Sequence, residues 1–167
     1  MISAILYGMI EGVILFSHGS VLCGAEQNLL QLAETMRRLL PDELVEVAFL
    51  NYTSPDFMTA VDRCVSGGAK RITIAPYFLV AGKFATEDLP RQIEEARGRY
   101  PEVNFLTATA IEYHSLLPDA VLTSASNAGP TRKWRDQASL SRPFCRRNQR
   151  CPLFGSEYCA VDKEATA

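Results

Sequence analysis

The stretch Gly12-Val-Ile-Leu-Phe-Ser-His-Gly-Ser20 decides the fold. Residues 13–16 form a short, unbroken apolar run, as expected for a strand buried on both faces of a parallel sheet. His18 stands where that strand ends, and Gly19 lets the backbone turn. In open α/β sheets ligands gather outside the carboxyl ends of the strands. His18 is therefore the first candidate functional residue, because a neutral imidazole can hold a divalent ion or take a proton near neutral pH. Gly19 and Gly24 occur without a Gly-Lys-Ser/Thr ending or a Gly-x-Gly-x-x-Gly fingerprint, which disfavours a nucleotide-phosphate cradle.

Outward from this strand the chain alternates helix and strand patterns. Over residues 25–40, Leu29, Leu32, Ala33, Met36 and Leu40 recur at helical spacing, and Pro41 ends the helix. A second strand is expected over 44–50. Ser54-Pro55 then supplies an N-cap with proline at the first helical position. The buried stripe of that helix is Phe57, Ala60, Val61, Cys64 and Val65, with Gly67-Gly68 as its left-handed end. A third strand over 71–76, a helix over 87–100, a fourth strand over 103–110 and a last helix from 116 complete the pattern. Repeated β-α units with short connections imply a three-layer α/β/α domain with a mainly parallel, flavodoxin-like sheet of about four strands. The loops after the first three strands hold Ser17-His18-Gly19-Ser20, Asn51-Tyr52-Thr53-Ser54 and the segment from Tyr77 to Phe84, and the loop after the fourth holds His114, the only other histidine.

Composition sets the outer limits. With 167 residues, 47% of them hydrophobic and 22% charged, the chain can bury a core without disulfides. No apolar run reaches the roughly 18–20 residues of a membrane span. The first ten residues lack a basic region and a small-residue cleavage site, so a cytoplasmic protein is expected. Residues 1–128 carry a net charge of −6 and residues 129–167 a net +4. Together with the small residues of 124–130, which read as a linker, this divides the chain into a domain over 11–128 and a basic, Cys-containing, irregular extension over 129–167. The only nucleic-acid signal is Arg132, Lys133, Trp134 and Arg135 with later arginines, and the sequence argues against such a partner.

The motifs, taken together, resemble the CbiX/SirB chelatases. The resemblance is carried by His18-Gly19-Ser20 with Asn28, Phe49-Leu50-x-x-x-x-Pro55, Gly67-Gly68-Ala69-Lys70-Arg71-Ile72, Pro76-x-Phe78-Leu79-x-x-Gly82 and Glu87-Asp88-Leu89-Pro90, in order over residues 12–122. It implies a lyase of the class II chelatase type, which inserts a divalent metal (Co, Fe or Ni) into sirohydrochlorin or a related tetrapyrrole on the way to cobalamin, siroheme or a nickel tetrapyrrole. It also implies a homodimer with a cleft between halves. His18 would be the catalytic and metal-holding residue, with Ser20, Asn51, Tyr77, Gly82, Phe84, Asp88 and His114 contacting substrate. The chain departs from the family where chemistry is expected: Phe84 stands in place of a second metal-binding histidine, and Asn51 in place of a common acidic residue. Phenylalanine neither coordinates a metal nor moves a proton, and a neutral amide is a poor base. Cys23, Glu87, Glu112 and His114 are candidate substitute ligands. A remodelled enzyme and a weakly active or inactive carrier or sensor of tetrapyrrole or metal are both compatible with these residues.

Five cysteines, an odd number, argue against a disulfide framework. Cys145, Cys151 and Cys159 lie close together among arginines and prolines. Three such thiols suit Zn or an iron–sulfur cluster, although the spacing matches neither a zinc ribbon nor a ferredoxin run and a fourth ligand is missing.

Overall fold

The computed structural model describes residues 11–22, 24–129, 149–151 and 154–155. Four strands, β1 (Glu11–Ser17), β2 (Leu44–Phe49), β3 (Arg71–Pro76) and β4 (Asn104–Thr107), alternate with helices α1 (Gln27–Leu39), α2 (Phe57–Ser66) and α3 (Leu89–Arg99). The strands form one parallel sheet in the order β2-β1-β3-β4, which is the flavodoxin-like order. The apolar run is the reason β1 lies inside: Ile14 and Phe16 are wholly buried and Leu15 almost so. Ile14 and Phe16 join one core with α2 and α3, while Leu15 joins another with Leu29 and Ala33 of α1. The sheet is therefore covered on both faces, in three layers. Each of these large side chains is worth about 1.5–3 kcal/mol when taken out of water.

Close approach of α2 to β1 depends on Gly12. A Cβ there would lie 3.2 Å from the Cys64 sulfur and 3.3 Å from Ile72 Cγ1, both on fully buried side chains. Burial, helped by the nearby Glu46 carboxylate, pushes the Cys64 thiol up to about 12. This cysteine thus packs as a small neutral hydrophobe rather than as a reactive thiolate.

Some boundaries differ from those expected. α2 is capped by Asp56, whose extended backbone (φ −74°, ψ 173°) lets Oδ1 accept from the Thr59 amide at 2.8 Å. Ser54 is not the cap: the Pro55 carbonyl accepts from the Phe49 amide, which holds this stretch against β2. The left-handed residue after α2 is Gly68 (φ 94°) rather than Gly67. The helix expected over 87–100 begins with a π-helical turn, Phe84–Asp88, that runs into α3. β4 spans four residues, not eight. The Tyr77 amide donates to Phe16 on β1, so alternate amides of β3 face β4, and Pro76 has none to offer there.

The described residues divide into two compact units: those up to His18 with Asn28–Glu112 carry the sheet, and those of Gly19–Gln27 with those from Tyr113 onward form the other. The second unit contains α4 (Leu117–Ser126), which extends into the stretch read as a linker. Most of the expected 129–167 extension lies outside the described residues, including Cys145 and Cys159; Cys151 is half-buried with a free thiol. Among the described residues, no helix is long and apolar enough to cross a membrane.

The Asp56 cap has a pH signature. Hydrogen bonds from the Thr59 hydroxyl and amide hold the Asp56 carboxyl below its usual value of 3.8. A lowered folded-state pKa adds stability above the unfolded-state value, and this is lost as pH falls through the folded-state one. Asp56→Ala should cost about 1 kcal/mol at pH 7 in urea denaturation. That difference should shrink as the pH falls below 3.8, whereas Asp56→Asn should hold the cap at neutral pH without titrating.

Candidate active site

The loops after β1, β2 and β3 are tied together by backbone. Past the end of the β1–β2 ladder, the Leu50 amide donates to Ser17 O and the Asn51 amide to His18 O, each at 2.9 Å. On the other side the Tyr77 amide donates to Phe16 O at 2.7 Å. His18 thus leaves the central strand with a neighbouring loop secured on each side, at the carboxyl edge where a ligand would meet the sheet.

Two aromatic rings flank its imidazole. The Phe84 centroid lies 4.5 Å away at an interplanar angle of 52°, and that of Tyr52 lies 6.0 Å away at 60°. Phe84 is positioned from below by Phe78, at 6.5 Å, and Phe78 in turn meets Phe16 of β1 edge-on at 6.1 Å. The π-helical turn gives Phe84 its direction: the Ala85 and Thr86 amides both donate to the Gly82 carbonyl, and the Leu89 amide to Phe84 O. Such turns recur at functional sites because they displace one side chain from the regular helix. Phe78 is partly buried against the core, while Tyr77, Leu79 and Val80 are exposed.

The other expected site residues divide between the two units. Asn51 is exposed and reaches the His18 backbone through its own amide. A Cβ added to Gly82 would meet nothing within 4 Å, so the surface there is open. Asp88 closes the π-helical turn, with Oδ1 3.3 Å from Arg91 Nη2. Ser20 and His114 belong to the second unit, where each caps a local turn. Ser20 Oγ accepts from the Leu22 amide at 3.0 Å, and His114 Nδ1 accepts from the Leu116 amide at 3.2 Å, at the start of α4. Cys23 lies outside the described residues. Among the described residues, no group of three or more His, Cys, Asp or Glu side chains is gathered to hold an ion. Tyr52 was not among the expected contacts. Its signal was a lone aromatic in the polar loop Asn51-Tyr52-Thr53-Ser54 at a strand's carboxyl end.

The four-stranded parallel sheet with helices on both faces has known relatives. The sequence model of the CbiX family matches residues 12–128. The chain belongs to the CbiX family. It is similar to the sirohydrochlorin cobaltochelatase of Methanocaldococcus jannaschii, with 37% identity over 83 residues, 48% of this chain and 57% of that protein. It is also similar to the chloroplastic sirohydrochlorin ferrochelatase of Arabidopsis thaliana, with 27% identity over 114 residues, 68% of this chain and 51% of that one. Among solved structures it resembles the sirohydrochlorin chelatase SirB of Bacillus subtilis subspecies spizizenii in complex with cobalt. There the TM-score is 0.67 at 25% identity, covering 71% of this chain and 51% of SirB. The chain spans about half the length of the curated relatives it matches.

The spacing between His18 and Phe84 makes a prediction about this CbiX-family chain. Imidazoles bind a divalent ion at about 2.0–2.1 Å from nitrogen, and two rings with centroids as close as 4.5 Å can share one. Phe84→His should therefore tighten Co2+ binding at least about tenfold, equivalent to roughly 1.4 kcal/mol, as measured by calorimetric titration. Unchanged affinity would show that the position is turned away from the ion.

Proposed function

We propose that this chain inserts Co2+, Fe2+ or Ni2+ into sirohydrochlorin or a closely related tetrapyrrole. The observation that carries the reading is His18, held at the carboxyl end of the central strand between the Phe84 and Tyr52 rings. In the overall reaction two pyrrole N–H protons leave the macrocycle as the dipositive ion enters, so total charge is conserved. His18 serves this exchange in two ways: a ring nitrogen is a good ligand for Co, Fe or Ni, and the same imidazole is a proton acceptor for the departing pyrrole protons. The flat macrocycle lies against the aromatic and apolar side chains at the sheet edge, with Tyr77 and Phe84 as walls. The chelatase names of the relatives support the reaction class.

The 4.5 Å contact of Phe84 with His18 favours a second reading. With an apolar ring in place of a second ligand, the site would bind a tetrapyrrole or metal as a carrier or sensor and turn over slowly or not at all. One experiment separates the two. Under anaerobic conditions, metal insertion into sirohydrochlorin is followed by absorbance with each of the three ions. The enzyme reading expects acceleration over the uncatalysed rate, and His18→Ala should remove at least about nine-tenths of it, the effect of losing a ligand or general base. A parent protein that binds sirohydrochlorin yet accelerates none of the three insertions would leave the carrier reading.

We also infer that a second copy of the chain closes the macrocycle from the other side. The matched region spans about half of SirB, which supports a site shared between two copies. Sedimentation at micromolar concentration should give twice the chain mass of 18.5 kDa. A single-chain mass, both with and without sirohydrochlorin, would count against it.

A further inference from the structure

Tyr52 is held in a conformation that its side chain disfavours. Its φ is 62°, in the left-handed region that bulky residues rarely occupy. The Thr53 amide donates across it to Asn51 O at 2.7 Å, an i→i+2 bond whose positive-φ form is rare and strained. Strain of this kind persists where the surroundings over-determine it. Here the Asn51 amide is fixed to His18 O, and Thr53 is buried. The ring held this way does not enter the core: Tyr52 is 55% exposed, with its centroid 6.0 Å from the His18 imidazole.

We propose that Tyr52 is a substrate-contacting residue, whose ring receives the face of the sirohydrochlorin macrocycle beside His18. The proposal rests on the chelatase reading of the site. The contribution comes from the ring and not from the hydroxyl, because a flat conjugated macrocycle offers a face for offset stacking. Phe84 flanks the same imidazole from its own loop, and the pair sets the macrocycle's position relative to the His18 nitrogen. The strained backbone is what presents Tyr52 there instead of letting it fold back onto the loop.

The test uses opposed readouts on the full chain: the dissociation constant for sirohydrochlorin by anaerobic absorbance titration, and Tm by circular dichroism. Tyr52→Gly removes the ring and relaxes the backbone. Its dissociation constant should rise about tenfold, within the range measured for loss of one aromatic stacking partner. Its Tm should stay level or rise, by no more than ~4 °C. Tyr52→Phe should bind like the parent, because it restores the ring without the hydroxyl. Parent-like binding by Tyr52→Gly overturns the proposal, as does weak binding by Tyr52→Phe. A lower Tm for Tyr52→Gly would show a structural role and also overturn it. A parent protein that fails to bind sirohydrochlorin overturns both this assignment and the chelatase reading, whereas the other outcomes leave that reading intact.

Discussion

The burial of β1 on both faces is the constraint on which the rest of the molecule depends. Ile14 and Phe16 face one core and Leu15 the other, so a helix must cover each side of the sheet. A strand buried this way needs partners on both edges for its backbone amides and carbonyls, because an unpaired buried amide costs about as much as a lost hydrogen bond. β2 and β3 supply them in register, with Phe16 opposite Ala48 on one side and Pro76 on the other. Once β1 is central, its carboxyl end opens between two neighbouring loops, and the residue at that end is His18. The position of the candidate site is thus a consequence of the core.

The core also reaches the site through a series of rings. Phe57 of α2 meets Phe16 edge-on at 5.9 Å, Phe16 meets Phe78, Phe78 lies near Phe84, and Phe84 touches His18. Along this series burial falls from the wholly enclosed Phe16 to the open Phe84. Close-packed interiors transmit shifts rather than absorbing them. The inner rings therefore fix where Phe84 can stand, and Phe84 limits the orientations of the imidazole. This is preorganisation from apolar packing: the polar group at the surface is oriented by neighbours that do no chemistry. Phe84 continues the aromatic packing outward.

The two flanks of His18 are built differently. Phe84 comes from a π-helical turn held by three backbone hydrogen bonds to Gly82 and Phe84 carbonyls, a regular arrangement with one side chain redirected. Tyr52 comes from a tight turn with a left-handed residue at its centre. Local backbone strain costs about 1–3 kcal/mol per residue, a cost a loop can bear only where the adjoining strands are secure. β2 is such a strand, locked to β1 and backed by Phe49 and Val47 in the α1-side core. The loop's departure from relaxed geometry is set against the stability of the sheet beneath it.

Much of this was legible in the sequence because it follows from periodicity. The apolar run 13–16, the helical stripe of α1 and the apolar positions of α2 record burial directly, since each side chain's face follows from its number. His18 at a strand's carboxyl end and the CbiX resemblance came from the same linear reading. What only the tertiary structure decided depends on contacts between segments distant in the chain. Pairing with Phe49 of β2 moved the α2 cap from Ser54 to Asp56, and Pro76 shortened β4 by leaving that edge without a donor. His114 Nδ1 accepts from the Leu116 amide at the start of α4, a local cap that the linear pattern does not show. Tyr52 became visible as a neighbour of His18 only when the loop's backbone was seen in three dimensions. A sequence records what each residue prefers, whereas which residues meet is set by how the sheet brings separate loops to one edge.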